Sequence, residues 1–348
     1  MASEFAELHD ELRSVAGDLL AKDRGVEVAW PLLAQAGWTS LETPDEFGGA
    51  GATFAEVAVV LQEMGRAAAT SSYLGGAVLG VGTLLALQAG GVRDELLAGS
   101  GRVAVAVSPD HETGSAGAPF IVLGGRQLSG QSNFVPDAVG ADRLLLLADD
   151  PDGTPVIVVV PPDAVTMTAQ PVLDETRRLA AVTANGVPIE ASSTLRFDGD
   201  PRTAVRGLLD RASVAIACDS LGLAEAMLAA TVSYTGMRHQ FGRPIGSFQA
   251  VKHMCADMLV QISVARQLVG AAVEAVAEGG DTAVAAAMAK AYACDTAVSV
   301  VGTAMQLHGG IGYTWESGVH VYLKRAALNR SLFGSPAAHR KQLAQRYL

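Results

Sequence analysis

The chain has 348 residues, with 49% apolar and 18% charged residues and a formal net charge of −11. That composition excludes a disordered polymer and leaves room for two or three domains around a sizeable core. The acidic balance argues against nucleic acid or an anionic membrane as the main partner, because both select basic surfaces. Three scattered cysteines, Cys218, Cys255 and Cys294, are too few for a disulfide frame. All three lie in apolar helical contexts and are expected to be buried free thiols in a reducing compartment. No Cys/His cluster suggests a metal. The N-terminus lacks a basic segment followed by an apolar run, and the stretch 75–91, taken as the longest apolar one, is too short to span a bilayer. The expected location is the cytoplasm.

Residues 1 to about 100 read as helical. Phe5, Leu8, Leu12, Val15 and Leu19 keep helical spacing. Pro31 opens a short helix that ends at Gly37, and turn residues fill Thr43 to Gly51. Thr53 with Glu56 has the spacing of a capping box for a helix over 54–66. The Ala/Leu/Gly-rich run 73–91 predicts a further buried helix.

From about residue 102 the period changes. Residues 103–107, 120–123, 143–147 and 156–160 are short aliphatic runs separated by Gly, Pro and Asp clusters. Weaker strands are expected at 165–168, 180–187 and 194–197. Six to eight strands with no helix between them predict an antiparallel barrel or sandwich. Helices return from about 201. Leu209, Ala212, Ile216, Leu223 and Met227 are expected on one face of a helix ending near Met237. Others are expected at 247–278, from Asp281 to about 307, and from about Glu316, making a four-helix bundle.

The stretch Met237 to Gln249, MRHQFGRPIGSFQ, joins the first two of these long helices. It carries Arg238 and Phe241, then a Gly-Arg-Pro turn. Some 57 residues on comes Gln306-Leu-His-Gly-Gly-Ile-Gly-Tyr313. A guanidinium suits a pyrophosphate, and paired glycines let backbone N–H groups approach a ligand. Together the two stretches point to a long, anionic and aromatic ligand.

These stretches, with Pro44-Asp-Glu-Phe-Gly-Gly49, Glu63-Met-Gly-Arg-Ala67 and Asp174-Glu-Thr-Arg177, resemble the acyl-CoA dehydrogenase family over nearly the whole chain. The resemblance implies an α+β fold: an N-terminal helical domain (1–101), a middle antiparallel β-barrel or sandwich domain (102–198) and a C-terminal four-helix bundle (199–348). It implies FAD as cofactor, an acyl-CoA substrate, a homo-oligomer or a heterotetramer with a related chain, and electron-transferring flavoprotein as electron acceptor. It assigns the adenine and pyrophosphate side of FAD to Arg238, Phe241, Gln249, Gln306, Gly309 and Gly310, lent across a subunit interface.

The chain departs from the family where the chemistry needs a base. A carboxylate must remove the α-proton of the thioester, from one of two positions in the family. Gly334 falls at one and Ala212 at the other, and neither takes a proton. Asp210 lies about 200° round the helix from Ala212. The flavin-ring contacts are altered as well. Ser108-Pro-Asp110 stands for a Thr-Glu-Pro segment, Phe134-Val-Pro136 for Trp-x-Thr, and Pro336 and Ala338 for a Thr and a Gln. The expectation is a subunit of an FAD-dependent acyl-CoA dehydrogenase that keeps the adenine-side clamp and relies on a related partner for the base. Such heteromers are associated with bulky, sterol-derived thioesters. The alternatives are a self-sufficient dehydrogenase with its base elsewhere and a non-enzymatic scaffold that has lost flavin.

Overall fold

A computed structural model describes residues 2–22, 27–107 and 118–345. Helices α1 (Ala2–Lys22), α2 (Trp30–Gln35), α3 (Phe54–Ala67), α4 (Val81–Leu85) and α5 (Gly91–Ala98) come first, with a short parallel pair, β1 (Glu27–Val28) and β2 (Thr70–Ser71). Strands β3 (Val103–Ala106), β4 (Phe120–Leu123), β5 (Gln127–Pro136), β6 (Arg143–Asp149), β7 (Pro155–Val160), β8 (Thr166–Ala169), β9 (Leu179–Pro188) and β10 (Thr194–Arg196) follow. Then come α6 (Pro201–Met237), the hairpin β11 (His239–Gln240) and β12 (Arg243–Pro244), and α7 (Gln249–Ala277). Helices α8 (Ala283–His308), α9 (Val319–Ser331) and α10 (Pro336–Gln345) end the chain. The chain forms two compact units. One holds Met1–Val26, Ala58–Ala69 and Ser213–Leu348, the other Glu27–Val57 and Thr70–Ala212.

The second unit contains the eight-stranded sheet, ordered β10-β7-β6-β4-β5-β9-β8, with β3 beside β6. Antiparallel pairing dominates as expected, but β6 pairs in parallel with both β3 and β4. Strand β7 is buried at every residue, which is why it reads as a continuous aliphatic run. Its alternate residues Val156, Val158 and Val160 join Leu144, Leu146 and Phe120 in the sheet's main core. Strand β5 was not legible. It is half polar, contains Gly130, ends in Pro136, and has register shifts at Leu128/Gly130 and Ser132/Val135. The capping box at the start of α3 forms: Thr53 N–H donates to Glu56 Oε2 at 2.8 Å, and Ala55 N–H to Thr53 Oγ1 at 3.1 Å. The run 73–91 contains a π-helical segment, Leu74–Gly80, that leads into α4.

In the first unit α6 meets all three other bundle helices. Ser220 Oγ lies 3.5 Å from Cys294 Sγ of α8, Arg266 of α7 donates to Glu225 at 2.7 Å, and Arg325 of α9 pairs with Asp219. Helix α10 packs on α8, and sequence reading missed it. Its signal was Ser335-Pro336, a cap followed by a first-turn proline, and Ala338 N–H does donate to Ser335 Oγ at 3.2 Å. From Ser213 to Ala224 every residue of α6 is buried, so no single apolar face exists there. The 58–67 part of α3 contributes to this. A Cβ on Gly65 would stand 2.0 Å from the Asp219 carbonyl oxygen, and one on Gly222 1.9 Å from that of Gln62. The two helix backbones cross in direct contact, which only glycine permits.

Three helices, α6, α7 and the stretch from α8 to Tyr313, are long and apolar enough to cross a membrane by length and composition, so 75–91 is not the longest apolar stretch. The apolar windows of the first and third are 72% and 61% buried inside the fold, and that of α7 is 22% buried. Cys218 and Cys294 are buried free thiols, whereas Cys255 is half-exposed, because it does not lie on the inward face of α7.

Candidate functional site

All six residues expected to touch the cofactor lie in the first unit, at one end of the bundle. Helix α6 ends at Met237, and Arg238 N–H still donates to the Tyr234 carbonyl at 2.9 Å. The chain then turns through the β11–β12 hairpin, whose two-residue loop is Phe241-Gly242 with φ of 52° and 76°. Both positions need positive φ in such a tight turn, and for phenylalanine that conformation is strained. Phe241 is 92% exposed at the tip. Its ring meets Phe248 edge-on at 6.2 Å, and the Arg243 guanidinium covers Phe248 at 4.0 Å. The helix expected from Ser247 begins at Gln249. Residues Ile245–Ser247 form a 3₁₀ turn, and Ser247 Oγ donates to the Pro244 carbonyl at 2.7 Å.

The second stretch closes α8. Gln306 is exposed in its last turn, and Gly309 leaves the helix at φ +61°. A Cβ on Gly309 or Gly310 would meet nothing within 4 Å, so this backbone is open to an approaching ligand. Beside the two stretches lies a ring pair that sequence reading left without a role. Tyr234 and His308 stack with centroids 4.5 Å apart and planes 17° apart. Arg238, Gln249 and Gln306 are all exposed. Among the described residues their side chains make no hydrogen bond or ion pair within the chain. A guanidinium, two free amides and an open Gly-Gly backbone form a donor set that fits the phosphates and polar edges of a dinucleotide.

The base positions look quite different. Gly334 lies in the first unit in a loop where Phe333 and Gly334 have φ of 57° and 95°. A Cβ there would stand 2.8 Å from His339 Nε2, so the direction a side chain would take from residue 334 is filled by an imidazole. His339 Nε2 sits 2.9 Å from the Phe333 carbonyl and must donate to it, which leaves Nδ1 as a buried acceptor with no partner among the described residues. Burial holds the His339 pKa below its ordinary value, with Phe333 opposing and Lys290 adding to the shift. Lys290 of α8 is fully buried and donates to the carbonyls of Asn329 and Gly334, each at 2.9 Å. Burial lowers its pKa too, against the opposing influence of Cys294 and Asp295. Asn329 Nδ2 donates to Asp219 Oδ1 at 2.6 Å, which links this loop to the buried Asp219–Arg325 pair. Sequence reading missed Lys290 and His339. A lysine amid alanines on a buried helix was the available signal.

Ala212, the other position where the family resemblance places a base, belongs to the second unit and is 0% exposed. Its neighbour Arg211 forms a buried bidentate pair with Glu42 and donates through Nε to the Val78 carbonyl at 2.9 Å. Also in that unit, Pro136 is buried where the family resemblance places a hydroxyl donor. Phe134 has φ 53°, and its N–H donates to Gln170 Oε1 at 2.6 Å. Asp137 follows at φ 56°. Burial pushes its pKa up to about 6, although Gly75 N–H donates to its Oδ2 at 2.8 Å. The segment Ser108-Pro-Asp110 lies outside the described residues.

Comparison with known proteins defines the class. Residues 1–99 match the acyl-CoA dehydrogenase N-terminal domain, and residues 202–348 match the C-terminal domain. The acyl-CoA dehydrogenase IpdE2 of Mycobacterium tuberculosis is 34% identical over 323 residues, covering 91% of this chain and 86% of the relative. A structure described as a Tcur3481-Tcur3483 steroid ACAD G363A variant superposes with a TM-score of 0.84. It is 29% identical and covers 98% of this chain and 97% of its own. The ChsE4-ChsE5 complex from Mycobacterium tuberculosis gives a TM-score of 0.83 at 25% identity, with 99% and 96% coverage. The chain belongs to the acyl-CoA dehydrogenase family, whose members are FAD-dependent oxidoreductases.

Proposed function

We propose that this chain is the base-lacking subunit of a heteromeric acyl-CoA dehydrogenase that introduces an α,β double bond into a bulky, sterol-derived acyl-CoA. Its three segments, 1–101, 102–198 and 199–348, are the family's three domains. The observation that carries this reading is the packing at Gly334. Residue 334 carries no side chain, its φ of +95° favours glycine, and a Cβ there would stand 2.8 Å from His339 Nε2, so a carboxylate would have to displace the buried imidazole. Ala212 supplies none at the second position. The relatives support the substrate class and the assembly: one similar structure is described as a steroid ACAD, and another is a complex named for two chains, ChsE4 and ChsE5.

In this reading FAD, when bound, supplies the acceptor for the hydride that leaves the β-carbon. This chain's residues only bind and orient. Arg238 neutralises the pyrophosphate, Gln249 and Gln306 hold polar edges of the adenosine side, and the Gly309-Gly310 backbone lets the ligand approach. Phe241 offers a ring at the hairpin tip. The partner chain supplies the carboxylate, and electron-transferring flavoprotein takes up the electrons. Helix α7 leaves Leu259, Val260 and Val264 exposed, a face suited to cover by another chain. The location is the cytoplasm.

The test is purification through a tag on this chain, from its native host and alone. The expected assembly holds one FAD per pair of unlike chains, and the chain alone is colourless and inactive. Arg238→Ala lowers the FAD content of the assembly. One FAD per chain in the isolated protein, with unaided oxidation of an acyl-CoA, would overturn the proposal in favour of a self-sufficient enzyme. Unchanged FAD content in Arg238→Ala would favour a scaffold.

A further inference from the structure

We infer that Tyr234 and His308 are positioning residues that hold the two halves of the cofactor clamp in register. This rests on the clamp reading above. Tyr234 sits one helical turn before Arg238, and its carbonyl accepts the Arg238 N–H at 2.9 Å. His308 is the last residue of α8 and directly precedes Gly309-Gly310. Its Nδ1 lies 2.7 Å from the Ala304 carbonyl. A carbonyl only accepts, so Nδ1 carries the proton and the ring orientation is fixed by its own helix. The ring then stacks on Tyr234 at 4.5 Å and 17°.

The geometry has a consequence for both segments. The hairpin 239–244 bonds within itself and to the end of α6, and Gly309–Tyr313 forms its own 3₁₀ turn. Among the described residues no hydrogen bond or ion pair joins 237–249 to 306–313. Packing of the bundle helices sets the coarse spacing, and the ring pair is the side-chain contact that ties the end of α6, just before Arg238, to the end of α8, just before Gly309 and Gly310. A clamp whose halves drift apart loses the pre-arranged placement of its donors, and affinity falls although every donor is still present. Plain core packing would be served by any apolar side chain of similar volume, whereas a stack needs a ring.

Two readouts separate these cases. Hydrogen–deuterium exchange on the isolated chain needs no cofactor. Tyr234→Ala and His308→Ala are expected to raise exchange in both 237–249 and 306–313 about 3- to 10-fold, in line with the strength of an aromatic pair. His308→Phe, which keeps the ring but lacks the Nδ1–Ala304 bond, raises exchange less than His308→Leu. Arg238→Ala leaves exchange unchanged. The second readout is FAD retained by the assembly purified through this chain. It falls in Tyr234→Ala, His308→Ala, His308→Leu and Arg238→Ala, and is kept in His308→Phe. Unchanged exchange in the alanine variants, or rescue by leucine as good as by phenylalanine, overturns the inference and leaves the clamp reading intact. FAD retention unaffected by Arg238→Ala and His308→Ala alike overturns the clamp reading, and the positioning role with it.

Discussion

The two ends of α8 treat polar groups in opposite ways. Near its start Lys290 reaches the Gly334 carbonyl of the loop 332–335 and, with Cys294, the Asn329 carbonyl, in a buried cluster that includes Asp219, Arg325 and His339. At its end Gln306 and the Gly309-Gly310 backbone open outward, as Arg238 and Gln249 do, and among the described residues the side chains of these three polar residues have no hydrogen-bond or ion-pair partner. Buried polar groups left unpaired are costly, so the first set is matched to the chain itself and contributes to the fold. The exposed set is hydrated and contributes little to folding, so its arrangement is free to serve a ligand. The loop where the family resemblance places a base has become structural, while the clamp has not.

Substitutions at the two ends should therefore separate cleanly. Arg325→Met leaves the Asp219 carboxylate buried without its counter-ion and should cost about 3–5 kcal/mol in chemical denaturation. Lys290→Met removes the Lys290 bond to both the Asn329 and Gly334 carbonyls, of which Asn329 keeps the longer contact from Cys294 Sγ at 3.6 Å, and should cost about 3 kcal/mol. Gly334→Ala places a Cβ against His339 at positive φ and should cost about 1–3 kcal/mol. Pairing it with His339→Ala should recover part of that loss, a coupling that a double-mutant cycle would show.

His339 gives the inward end a pH signature. Its folded pKa is lowered by burial, so the unfolded chain takes up the proton first. The contribution is complete above the ordinary histidine value of about 6.5 and is lost as pH falls towards the lowered folded value. The stability difference between the native chain and His339→Gln should accordingly change below about pH 6.5 and be flat above it. The smallest effect belongs to the clamp. Arg238→Ala and Gln306→Ala should shift stability by no more than about 0.5 kcal/mol. A large loss in either would mean that the clamp is part of the core after all.

Much of this was present in the sequence because it depends on local pattern. Aliphatic runs gave the strands, Thr53 with Glu56 gave a helix start, and two typed stretches held the residues of the proposed clamp. Gly334 and Ala212 showed by identity alone that no base stands at either position. What the sequence could not determine depends on partners far along the chain. Strand β5 is held by its neighbours rather than by its own composition, and residues 213–224 of α6 are buried all round because other helices, including part of α3, enclose them. The same holds at the two ends of α8. His339 and Lys290 fill the space and satisfy the carbonyls around residue 334. Tyr234 meets His308 only once α6 and α8 lie side by side. Residue types are local, but which polar groups find a partner is settled by tertiary contact, and that decided which end of α8 is closed and which is open.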